Sequence, residues 1–386
     1  MIGKKFLIVN LVFTIIIALA MVGGSWDTSL AQGTVPTVTP PPPDAPPPLA
    51  PAPPAPLISS IITAGIGHTC AITPADGLRC WGLNESGQLG DATFTDSSIP
   101  VNVVDVIASG VIDLESGIKH TCALISNGDV ICWGLNDYGQ LGNGAITNSN
   151  VPVLVKGLVG KIVSISGGAK FTCAVNDVNE VMCWGNNSNG QLNDGTRISR
   201  SIAVLVDPEL VNNVLMISGG QKELQGVTSD GATNFWNGEP IIPVTGLPED
   251  KNAILSADRF FEGGCSTSVD GVVNCWGAVI NAEVEGGVLD HNLLDSGGGH
   301  ACTVTGEGLV CWGENGTGQL GNGSLNYHGT AAQVVKGIPS VVDLAAGLNH
   351  TCAIIDHELI KCWGENTFGQ LGDGTTSDNS LPVVVK

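Results

Sequence analysis

Twelve cysteines and four regularly placed histidines carry most of the reactive chemistry in this 386-residue sequence. The cysteines pair by position: Cys70 with Cys80, Cys122 with Cys132, Cys173 with Cys183, Cys265 with Cys275, Cys302 with Cys311, and Cys352 with Cys362. Ten residues separate the members of every pair except Cys302 and Cys311, which are nine apart. Two chemistries use cysteines in sets, zinc ligation and disulfide formation. Zinc modules typically show C-x-x-C spacing, which is absent here. A tryptophan follows the second cysteine of each pair: Trp81, Trp133, Trp184, Trp276, Trp312 and Trp363. Trp236 has no such cysteine before it, and Gln225 and Phe235 hold the two positions. A lone bridging partner would be a liability, so the joint loss points to six disulfides, each within one hairpin.

His68, His120, His300 and His350 are the next candidates, as metal ligands. They recur once per repeat, so the fold must hold them in separate modules. A structural role is expected instead, with each ring bonding to backbone near a strand. Phe171 stands at the histidine position of the third repeat. Asn84, Asn136, Asn186, Asn315 and Asn366 read as turn-stabilising side chains. There is no motif-supported Ser-His-Asp set, no phosphate-cradling loop and no H-E-x-x-H. Pairs such as Asp194-Gly195 and Asp373-Gly374 read as turns, since calcium loops need more closely spaced carboxylates. The expectation is no catalytic residue, no metal and no cofactor.

The elements that position these residues repeat with them. Gly65 opens GIGHTCAITPADGLRCWGLNESGQLGD and Gly117 opens GIKHTCALISNGDVICWGLNDYGQLGN. Gly297 opens GGGHACTVTGEGLVCWGENGTGQLGN and Gly347 opens GLNHTCAIIDHELIKCWGENTFGQLGD. From Trp81 onward the tryptophans mark seven units, two of them shortened. Short strand-like runs flank a turn in each unit. Two such strands do not survive alone in water. Stacking similar sheets around an axis buries both faces of each, and the repeated indole supplies apolar surface between neighbours. Gly82 and the G-Q-L-G run allow sharp turns. The expected fold is all-β, a seven-bladed β-propeller of antiparallel sheets.

This pattern resembles the regulator of chromosome condensation repeat, over about residues 58–386. The resemblance implies a seven-bladed propeller. A related secreted group, which includes a β-lactamase inhibitory protein, has similar repeats and binds proteins through one face. The best-known activity in the family is nucleotide exchange on a small GTPase.

The chain before the repeats reads differently. Lys4 and Lys5 precede an apolar run at 6–22, and Ser29-Leu30-Ala31 offers a cleavage site. Residues 1–31 are expected to be a signal peptide or a membrane anchor. Residues 32–57 are expected to be a proline-rich disordered linker, an extended spacer. Residues 58–386 then divide at about 58–108, 109–159, 160–211, 212–250, 251–289, 290–338 and 339–386. An export signal and an even cysteine count place the protein outside the cell or on its surface.

The formal net charge is -21. An acidic surface repels nucleic acid and anionic membranes. The expected partner is a protein or glycan, with no nucleic acid, membrane contact only through the N-terminal segment, and a monomeric propeller. Repeats four and five depart from the pattern. Asn237-Gly238-Glu239-Pro240 and Gly277-Ala278-Val279-Ile280 replace the usual run, and both long connections are shortened. Two short blades side by side make a notch, with Trp236, Phe260 and Phe261 as candidate binding residues, or else mark decayed repeats. Strands near 58–63 and 381–385 should complete one shared or adjacent blade. The reading that results is a non-enzymatic extracellular binding or scaffold propeller, engaging its partner through one face. One alternative is a nucleotide exchange factor by family analogy. The other is an envelope hydrolase or lyase. That last reading needs Asp, His or Arg gathered at one mouth of the axial channel, a set the sequence does not display.

Overall fold

Each repeat becomes one small antiparallel sheet. The computed structural model describes residues 61–73, 77–106, 110–207, 214–229, 231–236, 242–243, 254–268, 271–277, 284, 293–356 and 359–386. The expected export segment and linker lie outside these residues, as do 237–240 and 278–280. Blade 1 consists of β1 (Ile61–Ala64), β2 (His68–Thr73), β3 (Gly77–Gly82) and β4 (Ser97–Asn102), hydrogen-bonded in that order. Blades 2 to 7 begin with β5 (Val111–Ser116), β9 (Ile162–Gly167), β13 (Val214–Gly219), β17 (Ile254–Ala257), β20 (Leu294–Ser296) and β24 (Asp343–Ala346). Blade 5 has three strands among the described residues, and the fourth strand of blade 4 is only β16 (Ile242–Pro243). No helix among the described residues is long and apolar enough to cross a membrane.

The first strands form a closed ring. Each packs beside the next, and β24 returns to β1. The first and last blades therefore meet side by side, each built from contiguous strands, rather than sharing one sheet. Second strands are buried on both faces, which is why they read as unbroken small and apolar runs such as HTCALI. Outer strands are half exposed, as in SSIPVN. Pro100, Pro152 and Pro382 lie on these edges, where a missing N–H blunts pairing with another chain. Gly82 has φ 99°, and a Cβ there would collide with the Gly67 carbonyl.

The cysteines of each pair face one another across the second and third strands. Their S–S distances are 2.03 to 2.12 Å, which fits six disulfides. Gln225 opposes Phe235 at the corresponding place in blade 4. The nine-residue spacing arises because Thr305 pairs directly with Gly308, whereas Thr73 pairs with Gly77, so the turn is one residue shorter and the register is kept.

The core is divided among the seams between blades. Trp81, Trp133, Trp184, Trp236, Trp312 and Trp363 are each at most 1% exposed and each packs against the preceding blade. The seam between blades 4 and 5 is thinner. Among the described residues its buried apolar members are Val227 and Leu255, and Trp276 is only partly covered. Because the seams hold the ring, the disulfides should be secondary. Replacing Cys122 and Cys132 together by Ala should lower stability by about 2–3 kcal/mol. It should leave the far-ultraviolet spectrum of a β protein intact in denaturant titrations. Loss of all structure at room temperature would contradict that ranking.

Candidate functional site

The predicted histidines latch blades together. His68 Nε2 meets Thr121 Oγ1 at 3.1 Å, His120 meets Thr172 at 3.0 Å, His300 meets Thr351 at 2.9 Å and His350 meets Thr69 at 2.9 Å. Each bond runs to the following blade, and the last closes the ring. This corrects the expected backbone bond, because the neighbouring second strand has its backbone committed to its own ladder and offers a hydroxyl instead. The threonine hydroxyls donate onward to backbone: Thr69 to the Gln370 carbonyl at 3.2 Å, Thr121 to Gln88 at 3.3 Å and Thr351 to Gln319 at 2.9 Å. The imidazole is therefore the donor through Nε2–H, and its partnerless Nδ1 is the bare acceptor nitrogen. Burial drops the ring pKa to about 3 for His68, His120 and His350 and to about 4 for His300. Where a repeat holds Phe171, Glu223 or Gly263 instead of histidine, the next repeat holds Leu224, Gly264 or Ala301 instead of threonine. That joint loss was a readable signal in the sequence. No group of three His, Cys, Asp or Glu among the described residues is arranged to hold a metal.

The asparagines shape the long third-to-fourth connections. Asn84 Nδ2 donates to the Thr93 and Thr95 carbonyls at 3.3 and 3.1 Å, and its Oδ1 accepts from Leu89 N at 3.0 Å. Asn136, Asn315 and Asn366 do the same. In the third repeat the role belongs to Asn187, not Asn186. The Asn186-Asn187 doublet hides the register in the sequence, and Asn186 only caps Ser188 N.

The axial channel holds a set the sequence did not display. First-strand residues line a cavity of about 290 Å³ that includes Asp113, Glu115, Asp295, Asp343 and Arg259. Three of the carboxylates are engaged in joining blades. Asp113 accepts Ile165 N at 3.1 Å, Asp295 accepts Ala346 N at 2.8 Å and Asp343 accepts Ile62 N at 2.8 Å, each from the following blade. Arg259 crosses from blade 5 to blade 2, where Nη1 donates to the Ser116 carbonyl at 2.7 Å and Nη2 lies 3.7 Å from Glu115. Burial raises Asp343 to about 7 and pushes Asp113 and Glu115 well above the usual carboxylate range, although Arg259 opposes it at Glu115. These residues are scattered from 113 to 343, so no local motif could have revealed them.

The mouth of this channel is ringed by first-to-second strand connections. Backbone bonds join them in sequence: Leu348 N to the Gly65 carbonyl, Ile66 N to Ile118, Ile118 N to Ala169 and Ala169 N to Gly220. Blade 5 interrupts the belt. Asp258 Oδ1 accepts Phe260 N at 2.8 Å and Phe261 N at 3.0 Å, while Oδ2 accepts Gly299 N at 3.3 Å from blade 6. This loop turns Phe261 outward, 46% exposed. Beside it opens a recess of about 400 Å³, lined by Phe261, Gly298, Gly299, Glu314, Gly316, Thr317, Gln319 and Asn349. Of the three residues expected at a notch between blades 4 and 5, Trp236 and Phe260 are buried and Phe261 faces solvent, and the recess it borders is walled by blades 6 and 7 instead.

The regulator of chromosome condensation (RCC1) repeat matches residues 60–191 and 308–386, in overlapping segments at 79–124, 127–175, 308–354 and 362–386 and at 60–88, 111–140, 162–191 and 341–370. The chain belongs to the regulator of chromosome condensation repeat family. The matched segments of this RCC1-repeat chain stop before blade 4 and resume in blade 6, and so bracket the sector where the latch and the belt both fail. The ultraviolet-B receptor UVR8 of Arabidopsis thaliana is 27% identical over 359 residues, covering 84% of this chain and 81% of the receptor. The human E3 ubiquitin-protein ligase HERC2 is 25% identical over 346 residues, 79% of this chain but 7% of the ligase. Among solved structures, the ectodomain of the receptor kinase CR4 from Physcomitrella patens shares the fold, with a TM-score of 0.51 at 18% identity over 79% of this chain and 72% of that one.

The RCC1-repeat histidines give a pH signature. A ring held near 3 in the fold takes up its proton near pH 6.5 only on unfolding. Its contribution is whole above about pH 6.5 and is lost as the pH falls toward the folded value. Asp343, near 7 in the fold, acts oppositely, its share being lost as pH rises from the usual carboxylate range through about 7. Phe171 shows that this position accepts a phenyl ring. His68→Phe should reduce the slope of unfolding free energy between about pH 4 and 6 by about 1.4 kcal/mol per pH unit. Urea titrations at stepped pH measure this, and an unchanged slope would mean that His68 titrates within the fold.

Proposed function

We propose that this chain is an exported, non-enzymatic binding propeller that holds a protein partner on its channel-mouth face, in the sector of blades 5 to 7. One observation carries the reading: the loop at 258–262 leaves the mouth belt and presents Phe261 beside an open recess. A large exposed aromatic next to a concavity is the kind of anchor on which protein interfaces depend. Six disulfides, five of them fully buried, and the apolar N-terminal run support an oxidising, exported setting. The same features weigh against nucleotide exchange on a small GTPase, an intracellular activity.

A second reading, an envelope hydrolase or lyase, draws on the axial cavity. There Asp343 at about 7 has the proton affinity of an acid–base group near neutral pH. The engagement of Asp113, Asp295 and Asp343 in bonds between blades favours the binding reading.

The test compares partner capture from an extracellular fraction by the wild type, Phe261→Ala and Val178→Ala. Val178 is 66% exposed on a second-to-third strand connection, at the opposite end of the blades. Phe261→Ala should weaken capture by about tenfold or more, as loss of a central aromatic anchor does, and Val178→Ala should not. The same partner retained equally by all three would remove the mouth face from consideration.

A further inference from the structure

We propose that the recess beside Phe261 receives one lysine or arginine side chain from the partner, which completes a set of ion pairs that the ring leaves unfinished there. The inference rests on the binding reading above and specifies its chemistry.

Around the mouth, the residue before the histidine position faces the residue after the buried asparagine of the preceding blade. Between blades 1 and 2 these are Lys119 and Glu85, which form an ion pair. Between blades 2 and 3 they are Lys170 and Asp137, 3.5 Å apart. Lys222 of blade 4 turns instead to Glu262 of blade 5, at 2.7 Å. Both members are missing at two seams: between blades 7 and 1, where Gly67 and Thr367 stand and the Phe368 ring fills the space beside Gly67, and between blades 6 and 7, where Asn349 stands at the lysine place and Gly316 at the acidic one. The recess lies where that second pair would sit.

The lost volume is not refilled. A Cβ built on Gly316 would meet nothing within 4 Å. Gly298 and Gly299 remove two more side chains from the wall, and Gly299 has φ 80° with Glu314 directly beside it. Glu314 is exposed and has no ion pair among the described residues. An aromatic ring and a free carboxylate thus border a vacant cation position.

The molecule holds a precedent for how a cation sits there. Lys170 contacts Asp137 and also lies 4.8 Å from the centroid of the Tyr138 ring. In the recess, Glu314 supplies a carboxylate and Phe261 an aromatic ring, so an incoming ammonium or guanidinium finds both kinds of group. The chain's net charge of -21 favours approach of such a group.

The experiment titrates the isotopically labelled protein with Nα-acetyl-arginine amide, and separately with the citrulline analogue, which lacks the charge. Amide signals of Gly299, Gly316 and Asn349 should shift saturably, with a dissociation constant on the order of millimolar. Citrulline should not shift them. Glu314→Gln should weaken binding about fivefold or more, and added salt should weaken binding more steeply in the wild type than in this variant. Gly316→Lys supplies an internal cation and should abolish binding without lowering the unfolding midpoint. Equal response to arginine and citrulline, or shifts unchanged by both variants, would overturn the proposal. If Phe261→Ala impairs partner capture while Glu314→Gln and Gly316→Lys do not, the face stands and the basic side chain falls. If the arginine amide binds as described but Phe261→Ala leaves capture intact, the recess stands and the partner face falls.

Discussion

The structure depends on the seam between neighbouring blades, and within it on a buried indole that is both greasy and polar. Trp133 and Trp184 are 0% exposed, so their N–H groups must find partners inside the protein. They find the Gln88 and Gln140 carbonyls of the preceding blade, both at 2.9 Å. Trp81 reaches the Gln370 carbonyl at 2.9 Å and so ties the first blade to the last. Thr69 and Thr121 hydroxyls share these same acceptors, and histidines bind the threonines. One carbonyl in the G-Q-L-G turn thus organises an indole, a hydroxyl and, through it, an imidazole. Apolar burial supplies most of the seam energy, while the polar triplet sets where each blade lies against the next.

The ring is uneven because this triplet is. Trp236 and Trp276 lack a partner for Nε1 among the described residues. In the first case the Gln191 carbonyl accepts from Asn193 instead, and in the second the preceding repeat has no G-Q-L-G turn. The same sector has the thinnest apolar seam among the described residues. Arg259 works across the axis at this point, tying blade 5 to the Ser116 carbonyl of blade 2. A sector with fewer inter-blade constraints can carry an irregular loop without breaking the other seams, which is where interaction loops are usually found.

The mouth face also differs from place to place in charge. Lys119, Lys170 and Lys222 are each paired with a carboxylate, whereas Glu314 keeps its charge open to solvent. Disulfides do not create this asymmetry. Five of the six pairs have both residues at most 1% exposed, well inside the blades. They hold the second and third strands together from within and leave the face to its loops. The family relationship fixes the scaffold, and function must be argued from the face.

Much of the fold was legible because repetition turns one chain into seven readings of the same module. Short strand-like runs on either side of a turn, the tryptophan interval and the cysteine pairs announced the blades, and Gln225 opposite Phe235 was visible as the missing bridge. The histidine latch was half legible, since the loss of His and Thr in step at Phe171 and Leu224 was there to be counted. The candidate site was not. Asp113, Asp295, Asp343 and Arg259 meet only because the ring folds distant first strands onto one axis. Phe260 and Phe261 are consecutive and alike, yet one is 6% and the other 46% exposed. Sequence alone determined the module and its number, because local pattern and covalent spacing repeat along the chain. Tertiary closure decided which side chains converge and which face water, because that depends on where each blade presses on the next.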